Sequence, residues 1–337
     1  MNAKTKHTLT APHQVVEGGG AEEDKGRSLR TSSCRFTIIG LIAVLGLSFS
    51  GELHAANCLF KTGFNPGVYL DLKTNTDVGY LGGRDSVTGY AFSNLNAMPA
   101  YQGAELGALG PIPDFIDFCV TNMGGAQGPA LSLQCFKTVP GAQYNTRACY
   151  TLNFKEDPRF TQGYVKYRMM LHPAFQEAIR AAGGWFQIFE FKDYRLRDAA
   201  GAIDRGEKIH TLHVNVNRQG NAFFYSVGWR TIGPAQQIWK VENKDIPVKF
   251  GEWFTVEIFL KPGPAGSGKF IYRIDGQTVF SIADRDIQYK NAPLHTLQIF
   301  KIYMEASIID WMRNHGTPCQ AWYDDLEYWD DMPGEKP

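Results

Sequence analysis

The sequence predicts an all-β fold, a two-sheet antiparallel β-sandwich of jelly-roll type with one short inserted helix. Three observations carry this expectation. Segments rich in β-branched and aromatic residues follow one another from about residue 130 to the C-terminus, and such residues suit a pleated, half-buried surface. Within several of them apolar and polar residues alternate with a period of two, as in a strand with one face in a core. The 35 glycines and the 13% aromatic share supply the turns and rings of such a sandwich.

In chain order, residues 1–35 mix Gly18, Gly19, Gly20, Glu22, Glu23 and Asp24 with scattered Lys and Arg and show no apolar period. They read as a disordered tail. Residues 36–56 read as a secretory signal: the run from Phe36 to Phe49 is uncharged, follows Arg27, Arg30 and Arg35, and leads to Ala55 and Ala56, where a signal peptidase would cut. That run is shorter than the roughly 20 residues of a membrane-crossing helix. The chain is therefore expected to be secreted or periplasmic, and to meet a membrane only if this segment is retained as an anchor. Residues 57–337 form the single jelly-roll domain.

Between residues 57 and 130, GFNPG, GYLGGRD, GALGPIP and NMGGAQG interrupt the chain, so short strands and ordered loops are expected there. Strand segments then follow: LSLQCF, ACYTLNF, GYVKYRMML, WFQIFEFK, HTLHVNVN, AFFYSVGW, WFTVEIFL, KFIYRID, LQIFKIYME and AWYDDLEYW. PAFQEAIRAAGG is the inserted helix, with Pro173 near its start, Phe175 and Ile179 four apart, and Gly183 to stop it. Turns through Gly220 and through PGPAGSG mark hairpins, and Asp275-Gly276 is a tight-turn dipeptide. Leu212, Val214 and Val216 face one way and Thr211, His213, Asn215 and Asn217 the other. Likewise Phe254, Val256, Ile258 and Leu260 oppose Trp253, Thr255, Glu257 and Phe259, and Phe300, Ile302 and Met304 oppose Lys301, Tyr303 and Glu305. Two sheets packed face to face, one with a polar and aromatic outer wall, satisfy all three patterns.

With 34 Lys or Arg against 34 Asp or Glu, the chain has no net charge with which to hold nucleic acid. Within residues 57–337 the cysteines Cys58, Cys119, Cys135, Cys149 and Cys319 are odd in number and lack C-x-x-C spacing. Structural zinc is thereby disfavoured, while two bridges remain open in pairing. His210 and His213 sit three apart in a strand and point to opposite sides, so they do not share a metal. No G-x-S-x-G elbow occurs, and the stretch from Gly263 to Lys269 enters a strand rather than a phosphate-binding helix.

The succession WFQIFEFKD, GEWFTVEIFLKPGPAGSGKFIYRIDGQTVF, LQIFKIYMEA and AWYDDLEYWD resembles the concanavalin A-like lectin/glucanase superfamily of jelly rolls. That superfamily includes laminin-G-like modules, glycoside hydrolases and polysaccharide lyases. The resemblance spans roughly residues 130–330 and implies a polysaccharide partner bound on the face of one sheet. Glu190, Lys192, Arg195, Asn215 and Lys301 are the candidate binding residues. The two-carboxylate E-x-D-x-x-E of the hydrolases is absent, since Phe189-Glu190-Phe191-Lys192-Asp193 puts Lys192, not a second acid, beside Glu190.

Similarity to the alginate-lyase-like members is partial. Gln187-Ile188-Phe189 stands where those members have Q-[IV]-H, and Ile299-Phe300-Lys301-Ile302-Tyr303 keeps their Lys and Tyr. This implies β-elimination on a uronic-acid polymer, with Tyr303 as base, His213 as a second base, and Lys301 with Lys192 or Arg195 supplying positive charge. A Tyr acting near neutral pH needs its pKa lowered by about 3 units, roughly 4 kcal/mol. A non-catalytic lectin-like or structural envelope protein is the alternative. No cofactor is expected. Asp324 and Asp325, adjacent in a strand, point to opposite sides and so form no carboxylate dyad; as in several relatives of this fold, either one with loop carbonyls is the place for an optional structural Ca²⁺.

Overall fold

The computed structural model describes residues 56–72, 79–92, 98–101, 116–121, 128–135, 144–153, 161–193, 208–216, 222–230, 236–285, 287 and 296–334. The predicted tail, most of the signal segment, Arg195 and the Gly220 turn lie outside them. The first strands are β1 (Cys58–Thr62), β2 (Val68–Leu72), β3 (Gly79–Gly83), β4 (Met98–Tyr101), β5 (Ile116–Thr121), β6 (Ala130–Cys135), β7 (Tyr144–Asn153) and β8 (Gly163–Leu171). Helix α1 (Phe175–Ala182) separates them from β9 (Phe186–Asp193), β10 (Lys208–Val216), β11 (Ala222–Arg230), β12 (Gln236–Asn243), β13 (Phe254–Lys261), β14 (Lys269–Ile274), β15 (Gln277–Ile282) and β16 (Thr296–Glu305). Helix α2 (Ala306–Asn314) and β17 (Cys319–Trp329) close the chain.

The strands form two antiparallel sheets, as the sequence predicts. One has eight strands in the order β15-β14-β13-β8-β17-β6-β5, with β1 added on β17; the other has nine, in the order β12-β11-β10-β9-β16-β7-β4-β3-β2. Along β13, Phe254, Val256, Ile258 and Leu260 are buried while Thr255 and Glu257 are half-buried, so the expected alternation holds from Phe254 to Ile258; Phe259 on the other face is buried as well, in a second cluster with Tyr164, Ile271 and Met332. Aromatic rings meet between the sheets. Phe189 stacks on Phe270 at 5.9 Å, Phe224 lies 6.0 Å from Tyr272, and Phe300 sits 5.1 Å from Tyr167 and 4.8 Å from Tyr323. Each such large side chain removed from water contributes about 1.5–3 kcal/mol, and together these contacts hold the layers face to face.

The predicted hairpins are present, since β10 pairs with β11 and β13 with β14. The β14–β15 turn uses Asp275 at φ 48° and Gly276 at φ 77°, the pair of left-handed residues that a two-residue hairpin needs. Helix α1 is the predicted insertion. Gly183, at φ 72°, ends it and donates its N–H to the Ile179 carbonyl, a conformation that favours Gly. A second helix, α2, was not anticipated. It puts Ile308, Ile309 and Met312 into the core, positions that share one face of a 3.6-residue period. Among the described residues no helix is long and apolar enough to cross a membrane.

Asp85 organises the turn-rich N-terminal stretch. One carboxylate oxygen accepts from the Thr62 hydroxyl at 2.8 Å, the Gly63 N–H at 2.9 Å and the Asn65 N–H at 3.2 Å. The other accepts from the Val87 and Thr88 N–H groups, each at 2.9 Å. Burial alone would raise its pKa, but these bonds, led by the Thr88 N–H, reverse that and lower it from 3.8 to about 2.

Candidate functional site

Two β-bulges gather polar side chains on the face of the nine-stranded sheet turned away from the core. In β16, Ile299 opposes Tyr150 and Lys301 opposes Cys149, leaving Phe300 as the extra residue. Its φ of 41° is left-handed, which costs a bulky residue about 1–3 kcal/mol. Burial of its ring between Tyr167 and Tyr323 offsets that strain. In β9, Leu212 opposes Phe189 and His213 opposes Gln187, so Ile188 is extra relative to β10. A bulge shifts the side-chain alternation by one. Gln298 thereby joins Lys301, and Gln187 joins Glu190.

The Lys301 ammonium, 0% exposed, is ion-paired to the Glu190 carboxylate, itself 3% exposed. It also donates to the Gln298 side-chain carbonyl at 2.5 Å. The Gln187 amide donates to Glu190 Oε2 at 2.9 Å and to the Phe189 carbonyl at 3.2 Å. A buried charge is tolerated when paired and hydrogen-bonded, and this cluster supplies both conditions from two adjacent strands. Lys301 Nζ lies 5.3 Å from the centre of the Tyr303 ring, within cation–π range. Tyr303 is half-buried and meets Trp185, also half-buried, edge-on at 4.9 Å.

Next to this cluster, Phe223, Tyr225 and Val227 of β11 pack together with Trp185. Lys240 Nζ stands 4.7 Å from the Tyr225 ring centre and Lys244 Nζ 5.3 Å from that of Phe223. Glu242 bridges the two lysines at 2.7 and 2.9 Å, and its hydrogen bonds to Lys240 and Lys244 hold its carboxyl below the usual range. Burial, then the charges of Glu305 and Glu242, push the Tyr225 phenol upward. Tyr225 is therefore a poor base at neutral pH, even with the Lys240 ammonium over its ring.

Of the residues singled out in the sequence, the structure brings Glu190, Lys301 and Tyr303 together. It encloses Glu190 and Lys301 where an outer, solvent-facing wall was expected, so Tyr303 is the one of the three that reaches the surface. His213 takes the ladder position between Gln187 of β9 and Tyr225 of β11, and Asn215 the one opposite Phe223. Lys192 opposes Thr296 and Ile209. The side chains of His213, Asn215 and Lys192, and all of Arg195, lie outside the described residues. Sequence reasoning missed Gln298, because only the bulge at Phe300 carries it to this side, and did not single out Trp185 among seven tryptophans.

The expectation that Asp324 and Asp325 point to opposite sides is corrected. Asp325 has φ 51° and lies in a bulge of β17 against β8. A Cβ placed on Gly63 would lie 3.7 Å from Asp324 Oδ1 and 3.6 Å from Asp325 Oδ1, so both carboxylates turn toward one spot. Such oxygen donors suit Ca²⁺. Among the described residues, however, no three His, Cys, Asp or Glu converge as a metal site.

No family model matches the chain, and no curated protein matches it. Among solved structures it is similar to an endo-β-1,4-glucuronan lyase from the fungus Trichoderma reesei, at 15% identity and TM-score 0.43, over 63% of this chain and 86% of that one. It is similar to a PL-14 alginate lyase from Aplysia kurodai at 9% identity and TM-score 0.45, over 84% and 100% of the two chains. It is also similar to the carbohydrate recognition domain of Emp46p at 9% identity and TM-score 0.39, over 64% and 88%. Likeness at this level assigns the chain neither family nor activity.

Proposed function

We propose that this chain binds an acidic polysaccharide on the outer face of the nine-stranded sheet and cleaves it by β-elimination, with Tyr303 as the base. The observation that carries this reading is the layering of the site: a half-buried phenol with a fully buried ammonium 5.3 Å from its ring centre. Positive charge beside a phenol favours its ionised form. The phenolate takes the proton from the carbon next to the uronic carboxylate, and the electrons move into an enolate-like intermediate that the same cation stabilises. The bond from the neighbouring ring carbon to the glycosidic oxygen then breaks, its electron pair leaving on that oxygen. The proton on Tyr303 passes to the departing oxygen, and the new chain end carries a double bond conjugated with its carboxylate. Gln187 and Gln298 position the Glu190–Lys301 pair so that the ammonium stays beneath Tyr303.

The test is to incubate the protein with alginate, glucuronan and glycosaminoglycans and follow ultraviolet absorbance of the conjugated product. A rise on a uronic polymer is expected, falling about 100-fold or more in Tyr303→Phe. No rise on any of them would remove the elimination reading. One observation favours a second reading, a non-catalytic lectin-like module: Glu190 neutralises Lys301 in the resting protein. That reading expects glycan binding that survives Tyr303→Phe, with no change of absorbance for either protein.

A further inference from the structure

Cys135 of β6 and Cys319 of β17 are direct partners in an antiparallel ladder. Such partners share a face and have Cα atoms about 4.5–5.5 Å apart, inside the roughly 4.4–6.8 Å that a disulfide spans. Both are buried. Burial first, and then the charge of Cys135, push the Cys319 thiol well above its ordinary range, a coupling that requires the two groups to be neighbours.

The other cysteines of residues 57–337 stand elsewhere. Cys58 opposes Trp329 at the far end of β17. Cys119 opposes Ser132, which is three residues from Cys135 and so on the other side of β6. Cys149 belongs to the other sheet, opposite Lys301. A pocket of about 330 Å³ is lined by Cys135 and Cys319 together with Arg313, Thr317 and Pro318. It gives a small reagent a way to the pair.

We propose that Cys135 and Cys319 are a thiol pair that closes to a cross-strand disulfide on meeting an external disulfide such as oxidised glutathione. One cysteine thiolate attacks the external disulfide, forms a mixed disulfide and releases one thiolate. The second cysteine then attacks the mixed disulfide and expels the other. Two protein thiols and one external disulfide become one protein disulfide and two small thiols, so the two electrons and two protons lost by the chain end on the reagent. The bridge ties β6 to the last strand across 184 residues of chain (319 minus 135), and a loop that long restricts the unfolded state strongly.

The experiment uses the whole chain treated with oxidised glutathione, then digested without reduction for peptide mass mapping. The Cys135 peptide is expected joined to the Cys319 peptide. The melting temperature is expected to rise by about 5–10 °C over protein kept in dithiothreitol, and not to rise in Cys319→Ser. Recovery of the two cysteines on separate peptides, or either one joined to Cys58, Cys119 or Cys149, overturns the proposal. The peptide map needs only the unmodified chain, so it decides even if Cys319→Ser fails to fold.

Discussion

Asp85 and Glu190 are both carboxylates enclosed by the fold, at 0% and 3% exposure, yet opposite kinds of partner hold them. Asp85 is gripped largely by backbone N–H groups of two neighbouring turns, with the Thr62 hydroxyl beside them. Backbone donors cannot leave without unfolding the turn, so Asp85 is a structural pin. Glu190 is held by the side chains of Lys301 and Gln187, which can rotate, exchange protons or respond to an arriving anion. The difference teaches that burial of an acid does not by itself mark a functional site. The nature of its donors separates a main-chain clasp from a pair held by side chains.

Removing Asp85 should give the largest effect. Asp85→Ala leaves the Gly63, Asn65, Val87 and Thr88 amides without their acceptor and is expected to cost about 3–5 kcal/mol in urea denaturation. A loss below about 1 kcal/mol would break the contrast, because the turn would then be stable without its pin.

Lys301→Met should come next, at about 3 kcal/mol, since Glu190 is left buried without its counter-ion. Combining it with Glu190→Leu should recover most of that loss, measured as a double-mutant cycle. A double variant no more stable than the single one would mean that the pair is not the unit described. For Asp85 no such rescue by a second side-chain change is expected, because its partners are mainly main-chain groups.

The smallest effect is on acid stability. The folded pKa of Asp85, about 2, lies below its ordinary 3.8, so the unfolded chain takes up a proton first as pH falls. Its stabilisation is complete above about pH 4 and is lost as pH drops through about 2. After allowance for solvent screening it amounts to about 1–2 kcal/mol. Asp85→Asn should flatten the pH dependence of stability between those limits. An unchanged acid-unfolding profile would assign that dependence to other carboxylates.

Much of the sandwich was legible in the sequence. GYVKYRMML coincides with β8 from Gly163 to Leu171, and both the PAFQEAIRAAGG helix and the Asp275-Gly276 turn form where local rules place them. These features depend on side-chain period and turn chemistry, which neighbouring residues determine among themselves. The strands β12 and β15 and the helix α2 were passed over: QQIWKVEN and QTVFSI carry few apolar residues in alternation, and α2 follows β16 directly with no turn residue between them. The site was half legible. Lys301 and Tyr303 are two apart in an extended segment and share a side, but Gln298 is three from Lys301 and reaches that side only through Phe300. No local rule puts a phenylalanine at positive φ. The ring's packing between the two sheets does.

What the sequence by itself determined is the succession of strands, the inserted helix α1, the sandwich class and the pairing of Lys301 with Tyr303 on one side, because these follow from periods of two and 3.6 residues and from the conformations that Gly and Asp accept. Only the tertiary structure decided that Glu190 and Lys301 neutralise each other out of water, that the carboxylates of Asp324 and Asp325 turn toward the same glycine, and that Cys135 faces Cys319 across 184 residues of chain (319 minus 135). The physical reason is that bulges and ladder partners are settled by contacts between segments distant in the chain, whose energies no local pattern contains.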